Sequence, residues 1–371
     1  MRINTKRTPV LTGKGKAIPT DFGDIPGFAT GSTQHTRRST IGKAIPLAIA
    51  GGSLLQGTGL HANLRTQKLV GIPHFDLASV AGNLGMKAFW AEPGKSLLLR
   101  SKWTTIKFEV DARDFMLNKR KVYLGHPVRI HGDRPFITAK DYELTIRPIL
   151  APQTLAPRPV VQTILLDPGH GGKDQGAQNP GLKLLEKDLT LDVSLRLQKL
   201  LTAQGIKVYL TRKDDTYIPL DQRGELASKV KADLFISVHF NSVGRPSVSG
   251  LETFILPQPW TPSSTRSKLE AMDKQTYPGN KSDGWNSLAG YYIHRTLIEN
   301  LGVEDRGLKR SRFKVLKNLT CPGMLVELGF ISHPATAQKL RSAAHRNLLA
   351  QSLLQGVQSY RKTQSRVLSR V

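Results

Sequence analysis

Residues 161–177 read Val161-Gln162-Thr163-Ile164-Leu165-Leu166-Asp167-Pro168-Gly169-His170-Gly171-Gly172-Lys173-Asp174-Gln175-Gly176-Ala177. The first six residues have the composition of a buried strand, and they run directly into a glycine-rich loop. A strand that ends in such a loop sets side chains at the carboxyl edge of a sheet, where α/β folds build their sites. The loop has no GK[ST] ending, which argues against a nucleotide phosphate site.

Leu185-Glu186-Lys187-Asp188 opens a long helix with Leu185, Leu189, Val193, Leu197, Leu200 and Leu201 on one stripe and Gly205 as its terminator. Residues 206–212 and 232–241 then read as further strands, the second being Ala232-Asp233-Leu234-Phe235-Ile236-Ser237-Val238-His239-Phe240-Asn241. Strand and helix alternate, so the strands should run parallel. The predicted fold class is α/β, a mostly parallel sheet with helices on both faces, preceded by a small β-rich α+β domain.

Parallel strands put His170 and His239 on the same sheet edge. Glu186 falls in the first turn of its helix, where the dipole favours any carboxylate, so alone it is a capping acid. Two histidines and a glutamate converging on one edge point instead to a metal site. Glu327 interrupts the apolar run Pro322-Gly323-Met324-Leu325-Val326-Glu327-Leu328-Gly329-Phe330-Ile331-Ser332. An apolar setting raises a carboxyl pKa, which suits a general base and acid.

The 371 residues include 54 Lys and Arg, 28 Asp and Glu and a single Cys, for a net charge of +26. One thiol excludes an intramolecular disulfide framework and any CxxC metal site. The positive surplus is spread along the whole chain, and its densest runs, Lys119-Arg120-Lys121 and Lys309-Arg310-Ser311-Arg312, lack interleaved aromatics. This pattern gives general attraction to polyanions rather than a specific nucleic-acid site.

Residues 1–36 have the composition of a disordered tail. Arg37-Arg38 and the apolar run from Ala44 to Leu55 follow. That run is too short for a bilayer, which needs about 20 residues. The layout is that of an export signal with paired arginines, ending near His61-Ala62. Residues 66–150 read as a small domain: a helix from Phe75 to Gly85 and strands at 97–100, 105–110, 115–117, 122–124 and 127–130. His126 and His131 flank the last strand and read as packing or surface residues. Residues 151–160 contain Pro152, Pro157 and Pro159 and read as a linker. Residues 161–362 read as the second domain, the one that carries the strand-edge residues above.

The ordered motifs DPGHGG-x-D-x-GA, EKD, LTR-x-x-D, ADLFISVHFN and VELGFIS resemble the zinc-dependent N-acetylmuramoyl-L-alanine amidases, from Thr163 to about Tyr360. The resemblance implies one Zn²⁺ held by His170, Glu186 and His239, with Glu327 as the catalytic carboxylate and Asn241 and Arg223 in the substrate groove. It implies hydrolysis of the amide between the lactyl group of N-acetylmuramic acid and L-alanine in peptidoglycan, in the periplasm or cell envelope after export by a twin-arginine-type signal. Peptidoglycan is the expected partner and a protein activator is compatible; neither a specific nucleic acid nor a membrane anchor after signal removal is expected. Residues 66–150 loosely resemble the domain named after the amino terminus of copper amine oxidases, which suggests positioning or wall binding.

The competing readings are a zinc peptidase or amidase acting on another wall bond, a wall-binding protein without turnover, and a nucleic-acid-binding module. Departures from the family pattern carry their own expectations. Phe240 should make the groove wall bulkier. His333 and His294 read as surface or packing residues, and Cys321 has no base beside it. Some relatives carry an autoinhibitory helix near residues 257–286; here Thr265 to Lys274 could form only a short helix, with Glu270 or Asp273 able to reach toward zinc.

Overall fold

The computed structural model describes residues 45–46 and 64–369. The expected export signal and tail, residues 1–62, lie outside the described residues except for the two-residue strand β1 (Ile45–Pro46). The chain continues through β2 (Gln67–Leu69), β3 (Ile72–Asp76), α1 (Leu77–Asn83), β4 (Lys87–Glu92), β5 (Ser96–Arg100), β6 (Thr105–Glu109), β7 (Asp114–Leu117), β8 (Arg120–Tyr123), β9 (Arg129–His131) and β10 (Arg134–Thr138). One helical stretch follows, α2 (Ala139–Asp141) leading through a π-helical turn into α3 (Arg147–Leu150).

The helix expected from Phe75 begins two residues later. Asp76 ends β3 in extended backbone and caps α1, accepting a 2.9 Å hydrogen bond from the Ser79 amide. A capping carboxylate fixes a helix start more firmly than apolar spacing does.

The second half contains β11 (Thr163–Pro168), β12 (Gln178–Asn179), β13 (Leu184–Leu185), α4 (Glu186–Thr202), β14 (Lys207–Leu210), α5 (Leu220–Lys229), β15 (Leu234–Asn241), β16 (Leu251–Ile255), α6 (Asp283–Leu301), β17 (Asp305–Arg310), α7 (Lys314–Lys317), β18 (Gly323–Phe330), α8 (Pro334–Leu340) and α9 (Ala343–Leu368). β14, β11, β15 and β18 are neighbours and all parallel. β16 runs antiparallel to β18, and β17 is parallel to β16, so the sheet is mixed at this side. β18 is buried along its whole length, as expected for a strand covered on both faces. Ile164 and Leu166 pack on one side with Leu189, Val193 and Leu197 of α4 and Leu353 and Val357 of α9. Leu165, Phe235 and Leu325 pack on the other with Ala227 of α5 and Val315 and Leu316 of α7.

Residues 66–150 hold the expected small β-rich domain, and it shares a sheet with the larger one. The antiparallel meander β4 to β8 joins the larger sheet through β8 and β17, with Val122 opposite Leu308, giving a continuous 12-stranded sheet. β2, β3, β10 and β9 form a second, four-stranded sheet. The Lys121 amide donates to Asp305 at 2.9 Å, and the Arg113 guanidinium holds the carbonyls of Pro262, Ser263 and Arg266. The proline-rich stretch 151–160 is tied down as well, because Gln364 of α9 donates to the Pro159 carbonyl and accepts from the Val161 amide. Among the described residues no helix is long and apolar enough to cross a membrane.

Candidate metal centre

β11 delivers Asp167 and Pro168 to the sheet edge, and the chain then turns sharply at His170, which has a left-handed φ of 62°. The glycines around it are needed for space. A Cβ on Gly169 would collide with the imidazole of His239, and one on Gly176 (φ 66°) would lie 2.7 Å from both Glu186 Oε2 and His170 Cδ2. The loop is therefore wrapped closely around the two imidazoles.

Two buried arginines hold that loop. Arg223 donates to Asp167 Oδ1 at 2.9 Å, to the Pro168 carbonyl at 2.9 Å and to the His170 carbonyl at 2.8 Å. Arg212 donates to the carbonyls of Pro168, Gly169 and Lys187 at 3.0, 2.8 and 2.7 Å. Asp167 also accepts from the hydroxyls of Thr211 and Ser237, each at 2.7 Å. Arg223 is only 1% exposed, so it is a clamp under the site and not the groove residue expected from sequence. Replacing it with Met removes the cation from a buried pair, and we expect a stability loss of about 3–5 kcal/mol. Urea denaturation measures it, and a loss below about 1 kcal/mol, the range of an exposed pair, would contradict the clamp.

Glu186, the first residue of α4, is the hub. Its Oε1 lies 3.0 Å from His239 Nδ1 and accepts from the Phe240 amide at 2.9 Å. Its Oε2 lies 3.1 Å from His170 Nε2 and accepts from the Ala177 amide at 2.7 Å. Burial pushes this carboxyl up, but hydrogen bonds and charge from the two histidines outweigh it and hold the group well below the usual carboxylate range. His170 is raised by Glu186 and Asp174 against the opposing effect of burial. Its Nδ1 lies 2.9 Å from Asp174 Oδ2, the outer-shell carboxylate contact that orients metal-binding imidazoles.

One donor atom from each of His170, Glu186 and His239 lies within 4.8 Å of the others. Two imidazoles and one carboxylate form a nitrogen and oxygen donor set suited to zinc, leaving a coordination position open. The residues present therefore fit the metal that the sequence resemblance implies.

Glu327 stands beside this cluster. In register it is opposite His239 on β15 and opposite Glu252 on β16. It is 9% exposed, and its Oε2 is buried without a hydrogen-bond partner among the described residues. Burial, then the charges of Glu186 and Glu252, raise its pKa well above the ordinary carboxyl value. Glu252 is matched by Arg306 at 2.9 Å, Lys309 at 2.5 Å and the Asn241 amide at 2.9 Å. A cavity of about 330 Å³ opens over the cluster, lined by His170, Glu186, His239, Asn241 and Glu327 together with Leu220, Phe313 and Lys314.

Phe240 is buried in the core and also lines the cavity beside His239, as expected of a bulky residue in the groove wall. Glu270 and Asp273 do not line the cavity: Asp273 is buried against Arg266 and Arg312, and Glu270 pairs with Arg266. His333 caps α8, and His294 is buried between Thr253 and Asp305. Burial pushes the Cys321 thiol up to about 12, so it is no nucleophile. Asp174, Glu252 and Lys314 were not singled out from sequence. Glu252 had a visible signal, as the lone carboxylate in the apolar strand Leu251-Glu252-Thr253-Phe254-Ile255.

A sheet edge that gathers two imidazoles, a hub carboxylate and an unpartnered buried carboxyl has the makings of a hydrolytic centre of the α/β class. The chain belongs to the N-acetylmuramoyl-L-alanine amidase family, whose model matches residues 164–359. It is 36% identical over 203 residues to the N-acetylmuramoyl-L-alanine amidase LytC of Bacillus subtilis, a match covering 54% of this chain and 36% of that protein. It is 35% identical over 212 residues to the uncharacterized protein YqiI of Bacillus subtilis, covering 57% of this chain and 91% of that one. The probable cell wall amidase LytH of Staphylococcus aureus is 31% identical over 201 residues, 54% of this chain and 58% of that protein. The chain thus spans about a third of LytC and somewhat over half of LytH. Among solved structures, an N-acetylmuramoyl-L-alanine amidase from Clostridium difficile 630 is similar at 30% identity, covering 54% of this chain and 97% of that one with a TM-score of 0.45.

Proposed function

We propose that this protein is a zinc-dependent amidase that hydrolyses the bond between the lactyl group of N-acetylmuramic acid and the L-alanine of peptidoglycan stems. The observation that carries this reading is the unpartnered Glu327 Oε2 in the same cavity as the converging donors of His170, Glu186 and His239. Those three residues would hold the zinc. When bound, the metal supplies a Lewis acid that polarises the amide carbonyl and acidifies water.

The chain's own residues supply the rest. Glu327 takes the proton of the attacking water and returns it to the departing amine, and its raised pKa suits both transfers. Glu186 keeps both imidazoles turned to one point, and Asp174 steadies His170 from behind. Asn241, held by Glu252, forms part of the groove wall. We further propose that residues 1–62 direct export to the cell envelope and that residues 66–150 position the enzyme on its polymer.

Mass spectrometry of purified peptidoglycan digested with the protein tests the reaction. Release of free stem peptides beginning at L-alanine, with glycan strands intact, is expected, and a chelator should stop it. New termini elsewhere in the peptide would assign a different bond.

A further inference from the structure

The cavity over the candidate centre contains two carboxylates, Glu186 and Glu327, yet it also has a lysine at its rim. Lys314 opens the short helix α7, and the residues after it, Val315 and Leu316, are buried in the core beneath. Phe313 before it packs edge to face on Phe254 at a centroid distance of 5.2 Å. The backbone that carries Lys314 is therefore pinned on both sides, while its side chain is 57% exposed. The nearest carboxylate to its Nζ is Asp221 Oδ2 at 3.4 Å, itself 49% exposed. An exposed pair of this kind contributes little stability and leaves the ammonium available to another anion.

We propose that Lys314 reads a carboxylate on the stem peptide and so sets a preference for anionic over amidated stems. The inference rests on the amidase reading above. The charge balance of the substrate decides which part Lys314 meets, because N-acetylated sugars are neutral whereas the stem peptide carries free carboxylates. Leu220, 49% exposed, and Phe313 line the same cavity and give it apolar walls. Lys314 is the one lysine or arginine lining the cavity among the described residues.

The test uses two muramoyl peptides identical except that the second stem residue carries a carboxylate in one and a carboxamide in the other. We expect the parent protein to favour the carboxylate by about fivefold in kcat/KM, a size set by one partly exposed ion pair. The difference should lie in KM with kcat within about twofold, since the contact is present before and during reaction. Lys314→Met should abolish the preference, and Lys314→Glu should invert it. A parent that cleaves both peptides equally, or a Lys314→Met variant that keeps the preference, overturns the assignment. If the parent cleaves neither peptide at the lactyl–alanine bond, the amidase reading fails and this inference falls with it; that outcome shows as missing product and not as a lost preference.

Discussion

Glu327→Gln should lower kcat on purified peptidoglycan by roughly 10²- to 10⁴-fold, the usual contribution of a positioned acid and base. The metal content of the variant should equal that of the parent, because Glu327 is not among the converging donors. Its stability should not fall. A carboxyl whose folded pKa is raised destabilises the native state increasingly as pH climbs above the unfolded value, so removing it relieves that penalty at pH 8. Thermal melts at pH 5 and pH 8 read this directly, with the variant gaining on the parent at the higher pH. A variant that turns over at the parent rate would remove Glu327 from the chemistry.

Substitution of His170 should have the larger effect on metal, eliminating both retention and turnover. The backbone at 170 is left-handed, a conformation that alanine adopts at a cost of about 1–2 kcal/mol per residue, whereas asparagine tolerates it. His170→Asn therefore separates loss of a donor from loss of the turn. Elemental analysis after dialysis should find zinc with the parent and none with the variant, whose Tm should be close to that of the chelator-treated parent. If His170→Asn binds zinc as the parent does, the donor set would have to lie elsewhere.

Much of this site could be read from the chain because buried parallel strands are written as unbroken apolar runs. Against such a run a single polar residue stands out, and His239 on β15 and Glu327 on β18 were visible for that reason. The α4 stripe placed Glu186 at a helix start without further help. Arg223 was misplaced because its partners are mainly backbone carbonyls some 50 residues away, which leave no trace in local pattern. The stretch between β16 and α6 was legible only as far as its short helix, a single turn at Ala271–Lys274. Its conformation is fixed by Arg113 and Arg312 from outside it, not by any periodicity of its own. The accessory strands β2, β3 and β10 are short and mix exposed with buried residues, so their alternation was too weak to register.

The pairing of β8 with β17 bears on how this protein can be dissected. A fragment beginning at residue 161 would leave β17 as the border of the sheet, with the backbone groups that now face β8 open to solvent. Such borders recruit other chains. The meander β4 to β8 thus borders the catalytic sheet like a selvage, and a truncation that begins at residue 64 should stay more soluble than one that begins at residue 161.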